Sequence, residues 1–226
     1  MPAVEALIFD YDGLMVDSET PEYQTWLEVY RSYGMDLPLT TWAQIIGRGW
    51  DEGERVFDPY SYLERMLDHP INREAIRAQR QARYAQLTAD QSALPGVVEL
   101  IAKAKASGMK LGIASSSETA WVRSGLLRLR LLESFDTLQC AEMVERAKPD
   151  PALYVAALEA LGVPASQAIA LEDSPNGALA AVRAGIFCVV VPNAMTRALD
   201  FDHADLRLES LADISLDDLM RLRNER

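Results

Sequence analysis

The chain has 226 residues, of which 49% are hydrophobic and 25% charged, and its net charge is −12. This composition is typical of a folded protein with one core, or one core and a small second unit, and argues against disorder. The negative charge disfavours binding to nucleic acid or to an anionic membrane, since both need concentrated positive charge, but it leaves room for an anionic metabolite held by a metal.

Cysteine content and hydropathy restrict the setting in which the protein works. Cys140 and Cys188 are the only cysteines, too few for a disulfide framework or a zinc site, so a reducing cytoplasm is expected. The first ten residues lack a basic segment, and we therefore expect no secretory signal. No apolar run approaches the roughly 18–20 residues that span a bilayer, so no membrane partner is expected.

Four short apolar runs without helical periodicity are predicted to be buried parallel strands, at residues 4–9, 109–114, 168–171 and 187–191. Helical patterns separate them at residues 96–106, 118–132, 151–161 and 175–184. Alternation of strand and helix predicts an α/β fold with a doubly wound parallel sheet.

Residues 19–88 break this alternation, because they contain helical patterns at 19–33, 39–46, 60–67 and 73–87 but no convincing strand. Such a block of about 70 residues is too long for a simple crossover connection. We therefore predict an inserted all-helical cap domain at 17–91 and a catalytic core at 1–16 and 92–226, with linkers near 14–18 and 89–95. All four lysines lie outside this cap, whose positive charge comes from arginine.

Two carboxylates and a glycine, Asp10, Asp12 and Gly13, come directly after the first predicted strand. Open α/β sheets bind ligands at the carboxyl ends of their strands. One carboxylate could attack phosphorus and form an acyl phosphate, while the second transfers protons. The alternative is a simple acidic turn after a strand.

The second predicted strand ends at three serines that include Ser115 and Ser116. Hydroxyl groups and free amides at the start of a helix favour a phosphate-binding site. The alternative is a capping box, with Ser115 as the N-cap and Glu118 three residues later.

Two further groups of polar residues lie at predicted helix starts. Asp150 and Pro151 are typical of an N-cap and first helical position, and Lys148 before them could point a cation into the site or lie in solvent. Glu172 and Asp173 end the third strand, where their oxygens suit octahedral Mg²⁺. They could instead be acids that favour a helix N-terminus.

Because parallel strands bring their carboxyl ends to one edge of the sheet, these groups are expected to meet there. Four acids would repel one another, and one lysine is too little positive charge to offset them, so a bound Mg²⁺ is expected. The residues of this expected site are Asp10, Asp12, Ser115, Lys148, Glu172 and Asp173.

The four motifs, in this order, resemble those of the haloacid dehalogenase (HAD) superfamily, in the helical-cap subgroup close to beta-phosphoglucomutase-like phosphatases. The resemblance covers nearly the whole chain and implies a HAD-like Rossmannoid core. It implies that Asp10 is the nucleophile and Asp12 the general acid/base. It also implies that Ser115 and the amide of Ser116 bind the transferring phosphoryl group, while Lys148 offsets negative charge.

The same resemblance implies a Mg²⁺ site. Its ligands would be Asp10, the backbone carbonyl of Asp12, and Asp173, with Glu172 either as a ligand or outside the ligand set. Dehalogenases of the superfamily lack the second aspartate, so the presence of Asp12 argues against carbon–halogen cleavage. Phosphonate-cleaving members need a cap lysine, and no lysine precedes Lys103.

The cap sequence departs from that of the hexose-phosphate mutases. Their loop of Gly-x-x-Arg type is replaced by Gly47-Arg48-Gly49, and Gln24 stands where a histidine is expected. These departures favour a phosphatase that hydrolyses a small phosphorylated metabolite such as a sugar phosphate. A mutase and a non-catalytic binding relative remain as alternatives.

Cap arginines are candidate substrate contacts, because a guanidinium binds phosphate or carboxylate with two parallel hydrogen bonds. The candidates are Arg48, between Gly47 and Gly49, and Arg80. Alternatively, Arg48 is a solvated turn residue. The expected partner is the small phosphorylated substrate alone, with the protein a monomer or weak dimer.

Overall fold

Six parallel strands form one sheet in the computed structural model, which describes residues 3–43, 46 and 57–225. The strand order is β3-β2-β1-β4-β5-β6. The strands are β1 (Ala6–Phe9), β2 (Lys110–Ala114), β3 (Thr137–Gln139), β4 (Ala168–Glu172), β5 (Phe187–Val190) and β6 (Leu206–Arg207). Helices flank this sheet, so the predicted doubly wound α/β fold is confirmed.

The helices fall into two groups along the chain. Those before β2 are α1 (Glu19–Ser32), α2 (Leu39–Trp42), α3 (Pro59–Leu67), α4 (Arg73–Thr88) and α5 (Val97–Ala106). Those after β2 are α6 (Thr119–Arg128), α7 (Ala152–Leu161), α8 (Pro175–Arg183) and α9 (Leu216–Asn224). None of the helices in the described ranges is long and apolar enough to cross a membrane.

The central strand β1 is fully buried because it carries apolar side chains on both faces of the sheet. Successive side chains of a strand point to opposite faces. Leu7 and Phe9 pack in one apolar core, and Ala6 and Ile8 pack in the other. Helices cover both cores, which explains why this strand is a continuous apolar run without alternation.

Helices α1 to α4 enclose an apolar cluster of their own, in which Trp26, Tyr30, Trp42 and Leu63 are buried. Between Glu19 and Thr88, the described residues contain no strand. The two connections to the sheet run side by side, since the Leu94 amide donates to the Met15 carbonyl at 2.8 Å. A helical insertion is therefore present in the described part of residues 19–88, while the boundaries at 17–91 stay a prediction.

Two predicted helix starts are wrong in detail. Ser115 does not cap α6, which begins at Thr119; the Ser115 hydroxyl instead accepts a hydrogen bond from the Ser117 amide at 3.1 Å. Helix α7 begins one residue later than predicted, at Ala152, whose amide donates to Asp150 at 3.0 Å. Both side chains bond to an amide two residues on, so they close local turns before the helix starts.

The sequence patterns did not predict the two short edge strands or the C-terminal helix. β3 has three residues and β6 two, and both lie at the edges of the sheet. Segments this short carry too few residues to show a period. Helix α9 has Ser215 as its N-cap, which accepts a hydrogen bond from the Asp218 amide.

Candidate active site

Four polar side chains meet at the carboxyl edge of the sheet. Asp10 directly follows β1, Glu172 is the last residue of β4, and Asp173 comes next. One carboxylate oxygen from each of these three residues lies within 4.8 Å of the others. Lys148, from the segment after β3, reaches the same place and is buried.

Lys148 joins two of these acids. Its Nζ donates to Asp10 Oδ1 at 2.5 Å and to Glu172 Oε1 at 2.6 Å. Burial by itself would lower the pKa of Lys148, but the two carboxylates outweigh that effect and raise the pKa above its usual value. The ammonium is therefore a fixed positive charge beside Asp10.

Both oxygens of Glu172 already accept hydrogen bonds. Oε1 accepts from Lys148 and from the Tyr154 hydroxyl at 2.7 Å. Oε2 accepts from the Asp173 amide at 3.2 Å and from the Ser174 hydroxyl at 3.3 Å. A Cβ added to Gly177 would collide with this carboxylate, so a glycine is required there. With about four acceptor positions in use, Glu172 is suited to holding its neighbours in place.

The excess of negative charge changes how the other acids titrate. Burial, together with the Glu172 carboxylate, raises the pKa of Asp10 from 3.8 to about 8, although Lys148 opposes the shift. Burial beside Asp10 and Glu172 also raises the pKa of Asp173 well above its usual value. Three carboxylates against one ammonium therefore leave the site short of positive charge.

Asn193 orients Asp173. Its Nδ2 donates to Asp173 Oδ2 at 2.7 Å and to the Gly13 carbonyl at 3.2 Å. The amides of Met195 and Thr196 donate to Asn193 Oδ1, which fixes the direction of the side-chain amide. Asp173 is thereby held close against Gly13, whose φ of +81° and lack of a Cβ leave room for the carboxylate.

A divalent cation fits this group of residues. The oxygens of Asp10 and Asp173 converge, as hard cations require, and the surplus negative charge would be neutralised. The buried acidic group is therefore suited to a divalent metal.

Asp12 points to the other side of the site, toward α6. Its Oδ2 accepts from the Ser117 hydroxyl at 2.6 Å, and its Oδ1 accepts from Trp121 Nε1 at 2.9 Å. The ring of Trp121 lies 5.7 Å from the ring of Tyr84 on α4, measured between centroids. The side chain of Asp12 thus connects the sheet edge to the helical insertion.

The first turn of α1 also faces this region. Burial raises the pKa of Glu19 to about 8, and the next largest cause is the Asp12 carboxylate. Glu19 therefore adds another acid at the boundary between the insertion and the sheet.

The serine loop after β2 lies beside the same edge. Ser115 is buried, and its amide donates to the Gln139 carbonyl at 2.9 Å. The Ser116 hydroxyl oxygen is buried and finds no hydrogen-bond partner among the residues that the structure describes. A buried hydroxyl without a partner is unfavourable, so a bound phosphoryl oxygen would satisfy it.

The predicted cap contacts have different outcomes. Gly47, Arg48 and Gly49 lie outside the described residues, so their role stays a prediction. Arg80 is described, and its guanidinium donates to Glu22 and to the Thr25 hydroxyl while stacking 3.9 Å from the Trp26 ring. Its charge is therefore matched within the insertion.

Sequence patterns missed three residues of the site. Asn193 carried a usable signal, because it follows the predicted strand 187–191 at the same edge of the sheet. Tyr154 and Trp121 carried none, since each lies within a helical pattern and resembles an ordinary apolar residue of a helix face.

A parallel sheet with buried carboxylates and a lysine at its carboxyl edge, together with a helical insertion after β1, fits an enzyme with a Rossmann-like core that binds its ligand at that edge. The chain belongs to the haloacid dehalogenase-like hydrolases, because residues 7–191 match the model of that family. The family predicted from the motifs is thus confirmed.

Three similar proteins agree with this assignment. YhcW of Bacillus subtilis (strain 168) is 41% identical over 213 residues, covering 94% of each chain. Hexitol phosphatase B of Escherichia coli (strain K12) is 32% identical over 222 residues, covering 95% of this chain and 96% of the relative. The structure of a CbbY mutant from Rhodobacter sphaeroides in complex with xylulose-(1,5)-bisphosphate has a TM-score of 0.73 at 29% identity, covering 94% of this chain and 96% of that one.

The activity follows from the site and from these relatives together. The chain is a phosphoric monoester hydrolase of this family.

Proposed function

We propose that this phosphatase works through a covalent phosphoaspartate at Asp10 and uses Mg²⁺ as its metal. The observation that carries the proposal is the Lys148 ammonium held 2.5 Å from Asp10 Oδ1 in a buried setting. Within the described part of the chain, Asp10 Oδ2 accepts no hydrogen bond, which leaves this oxygen available for attack.

In the first step, an oxygen of Asp10 attacks phosphorus. The new bond from this oxygen to phosphorus forms as the bond from phosphorus to the leaving oxygen breaks, and Asp12 gives its proton to that oxygen. Lys148 stays protonated and offsets charge on the transferring group. Ser115 and Ser116 are proposed to hold the phosphoryl oxygens.

In the second step, water attacks the phosphorus of the phosphoaspartate. Asp12, now ionised, takes a proton from this water as the bond from phosphorus to Asp10 breaks. Inorganic phosphate leaves, and both aspartates return to their starting protonation states.

The proposed ligands of Mg²⁺ are Asp10, Asp173 and the backbone carbonyl of Asp12. When bound, Mg²⁺ supplies positive charge that stabilises the developing charge on the phosphoryl group. Glu172 is proposed to stand outside this ligand set, because its oxygens accept from Lys148, Tyr154 and the start of α8. Its role is to fix Lys148 beside Asp10.

The helical insertion is proposed as a cap domain, residues 17–91, that closes over the core at 1–16 and 92–226. Both connections leave the sheet at one place, where the Gln91 side chain donates to the Asp17 carbonyl. Paired linkers of this kind allow a hinge motion that would exclude water during transfer. The loop that contains Gly47, Arg48 and Gly49 is proposed to contact substrate from this cap.

Asp10→Asn tests the covalent step. The variant cannot form the phosphoaspartate and loses a metal ligand, so turnover should fall by several orders of magnitude, about 10⁴-fold or more. Acid quenching during turnover of radiolabelled substrate should trap hydroxylamine-sensitive label on the wild-type chain and none on the variant.

Asp217→Asn is the matched control, because Asp217 is exposed on α9, far along the chain from the site. This variant should retain full turnover and full labelling. Near wild-type turnover by Asp10→Asn would contradict covalent catalysis at Asp10.

A further inference from the structure

The two oxygens of the Asp173 carboxylate have different surroundings. Asn193 Nδ2 donates to Asp173 Oδ2 at 2.7 Å. Among the residues that the structure describes, none donates a hydrogen bond to Asp173 Oδ1. The residue is 2% exposed, so water has little access to either oxygen. One oxygen of this buried acid is therefore engaged by an amide, while the other has no donor from the described protein.

Oδ2 is also enclosed by the loop after β1. A Cβ added to Gly13 would lie 2.2 Å from Asp173 Oδ2 and 2.7 Å from Asn193 Nδ2, so both atoms pack directly against this glycine. Nδ2 also donates to the Gly13 carbonyl at 3.2 Å. The position of Oδ2 is therefore fixed between Gly13 and Asn193, and a cation that bound this oxygen would have to displace the amide.

The side chain of Asn193 is itself fixed by the turn after β5. Its Oδ1 accepts from the amides of Met195 at 2.8 Å and Thr196 at 3.2 Å, so Nδ2 is the end that faces Asp173. The Asn193 backbone amide donates to the hydroxyl of Thr196 at 3.0 Å, and Thr196 is fully buried. A rotation of the side chain that released Asp173 would break both bonds to Oδ1, so the donor is held rigidly.

The number of oxygens that each carboxylate offers distinguishes Mg²⁺ sites from Ca²⁺ sites. Mg²⁺ takes octahedral geometry with few carboxylates and several waters, whereas Ca²⁺ takes about 6–8 oxygens and often both oxygens of one carboxylate. Asp10 is restricted in the same way as Asp173, because Lys148 Nζ donates to Asp10 Oδ1 at 2.5 Å. Neither acid is free to give both of its oxygens to one cation, so the arrangement suits Mg²⁺ better than Ca²⁺.

We infer that Asn193 is a positioning residue that makes the metal site selective for Mg²⁺ over Ca²⁺, because it restricts Asp173 to one ligand oxygen. This inference rests on the proposed function, in which Asp173 is a ligand of the metal. Asn193 acts on the metal only through the direction of the Asp173 carboxylate. Loss of a hydrogen-bond partner of a metal ligand typically changes metal affinity by about 10–100-fold.

Two substitutions of Asn193 remove the donor in different ways. Asn193→Ala removes the whole amide, whereas Asn193→Asp keeps an oxygen acceptor for the turn and loses the N–H groups that face Asp173. Thr196→Val is the control for the turn, because it removes the hydroxyl that accepts from the Asn193 backbone and keeps Nδ2. Asn176→Asp is the control for added charge, because Asn176 lies at the start of α8 and its side chain donates to the Ile46 carbonyl at 3.1 Å.

Titration calorimetry of EDTA-treated protein with MgCl₂ and with CaCl₂ gives the two Kd values, and circular dichroism checks that each variant is folded. Wild type should bind Mg²⁺ more tightly than Ca²⁺. Asn193→Ala should raise the Kd for Mg²⁺ by about tenfold or more and leave the Kd for Ca²⁺ within about twofold, because the freed Oδ2 gives Ca²⁺ a further ligand oxygen.

The other variants are compared by the Kd for Ca²⁺ divided by the Kd for Mg²⁺. Asn193→Asp should lower this ratio by about tenfold, since the added carboxylate favours the cation that takes more oxygens. Both controls should keep the ratio within about twofold of wild type, because a change in charge acts alike on two cations of equal charge.

Several results would overturn the inference. An unchanged ratio in a folded Asn193 variant would show that the donor does not set selectivity, and an equal fall of the ratio in Thr196→Val would assign selectivity to the turn. Wild type that binds Ca²⁺ as tightly as Mg²⁺ would overturn the inference alone. Wild type that binds neither cation would overturn the proposed metal and this inference with it.

Discussion

Lys148 at the sheet edge and Arg83 on α4 both face carboxylates, but water reaches them to different extents. The side chain of Lys148 is 2% exposed and its partner Asp10 8%, whereas Arg83 and Glu28 are each 40% exposed. Buried charges interact strongly and depend on one another, while exposed pairs are weakened by solvent. The sheet edge therefore fixes the reacting groups in one arrangement.

The helical insertion uses its polar groups differently. Its arginines pair with carboxylates of neighbouring helices and leave a solvent-accessible cavity between them. Such pairs change easily without loss of the fold. The ion pairs at the sheet edge are therefore buried and depend on one another, whereas the Arg83–Glu28 pair of the insertion is open to solvent.

Among the tests of this difference between the two regions, the largest effect is the loss of turnover expected when Asp12 is replaced. Asp12→Asn removes the proposed acid/base at the sheet edge, and turnover should fall by about 10²–10⁴-fold. Mg²⁺ binding, followed by titration calorimetry, should be nearly unchanged, because the proposed ligand is the backbone carbonyl. A substrate with a poor leaving group is required, and unchanged turnover on it would rule out the acid/base role.

Removal of one cation from each region tests the difference in burial. Lys148→Met leaves buried carboxylates without their ammonium and should cost about 3–5 kcal/mol of unfolding free energy in metal-free protein. Arg83→Ala removes an exposed partner of Glu28 and should change the unfolding free energy by less than about 1 kcal/mol. Denaturant unfolding of both variants measures these free energies. Equal destabilisation by the two substitutions would contradict the difference between the buried and the exposed ion pair.

Metal removal should matter more at high pH. The pKa of Asp10 is raised from 3.8 to about 8, so the folded metal-free protein holds this proton more tightly than the unfolded chain. Its stability should therefore fall as pH rises from about 4 toward 8. Mg²⁺ bound at the proposed site would displace the proton, so the increase in Tm that Mg²⁺ produces should be larger at pH 8 than at pH 6. Thermal melts with EDTA or with excess Mg²⁺ at both pH values measure this increase in Tm. A larger increase at pH 6 than at pH 8 would contradict the predicted role of the Asp10 proton.

The smallest effect on activity is expected for Trp121, which lies where the sheet edge and the helical insertion meet. Trp121→Phe keeps a ring against Tyr84 but removes the N–H that donates to Asp12. Loss of one hydrogen bond to a charged group, about 1.5–3 kcal/mol, should alter the pH profile of kcat and lower kcat by about 10- to 100-fold. KM for acetyl phosphate should stay the same. Loss of stability with an unchanged pH profile would show that Trp121 only packs.

Local patterns in the sequence were sufficient for the order of the elements and for the motifs. Continuous apolar runs identify buried strands, and three of the four motifs directly follow one, so the sequence alone places Asp10 and Glu172 at one edge of the sheet. The absence of strand patterns between Glu19 and Thr88 likewise identifies the helical insertion.

Contacts between residues distant along the chain were decided only by the tertiary structure. Lys148 meets Asp10 across 138 positions, Trp121 meets Asp12 across 109, and Arg80 meets Glu22 across 58. Periodicity reports which face of an element is buried, but it carries no information on which side chain of another element lies opposite. The sequence by itself therefore determined the fold class and the motifs, whereas the partners of Asp12, Glu172 and Arg80 were set by how the sheet, α4, α6 and α7 pack together.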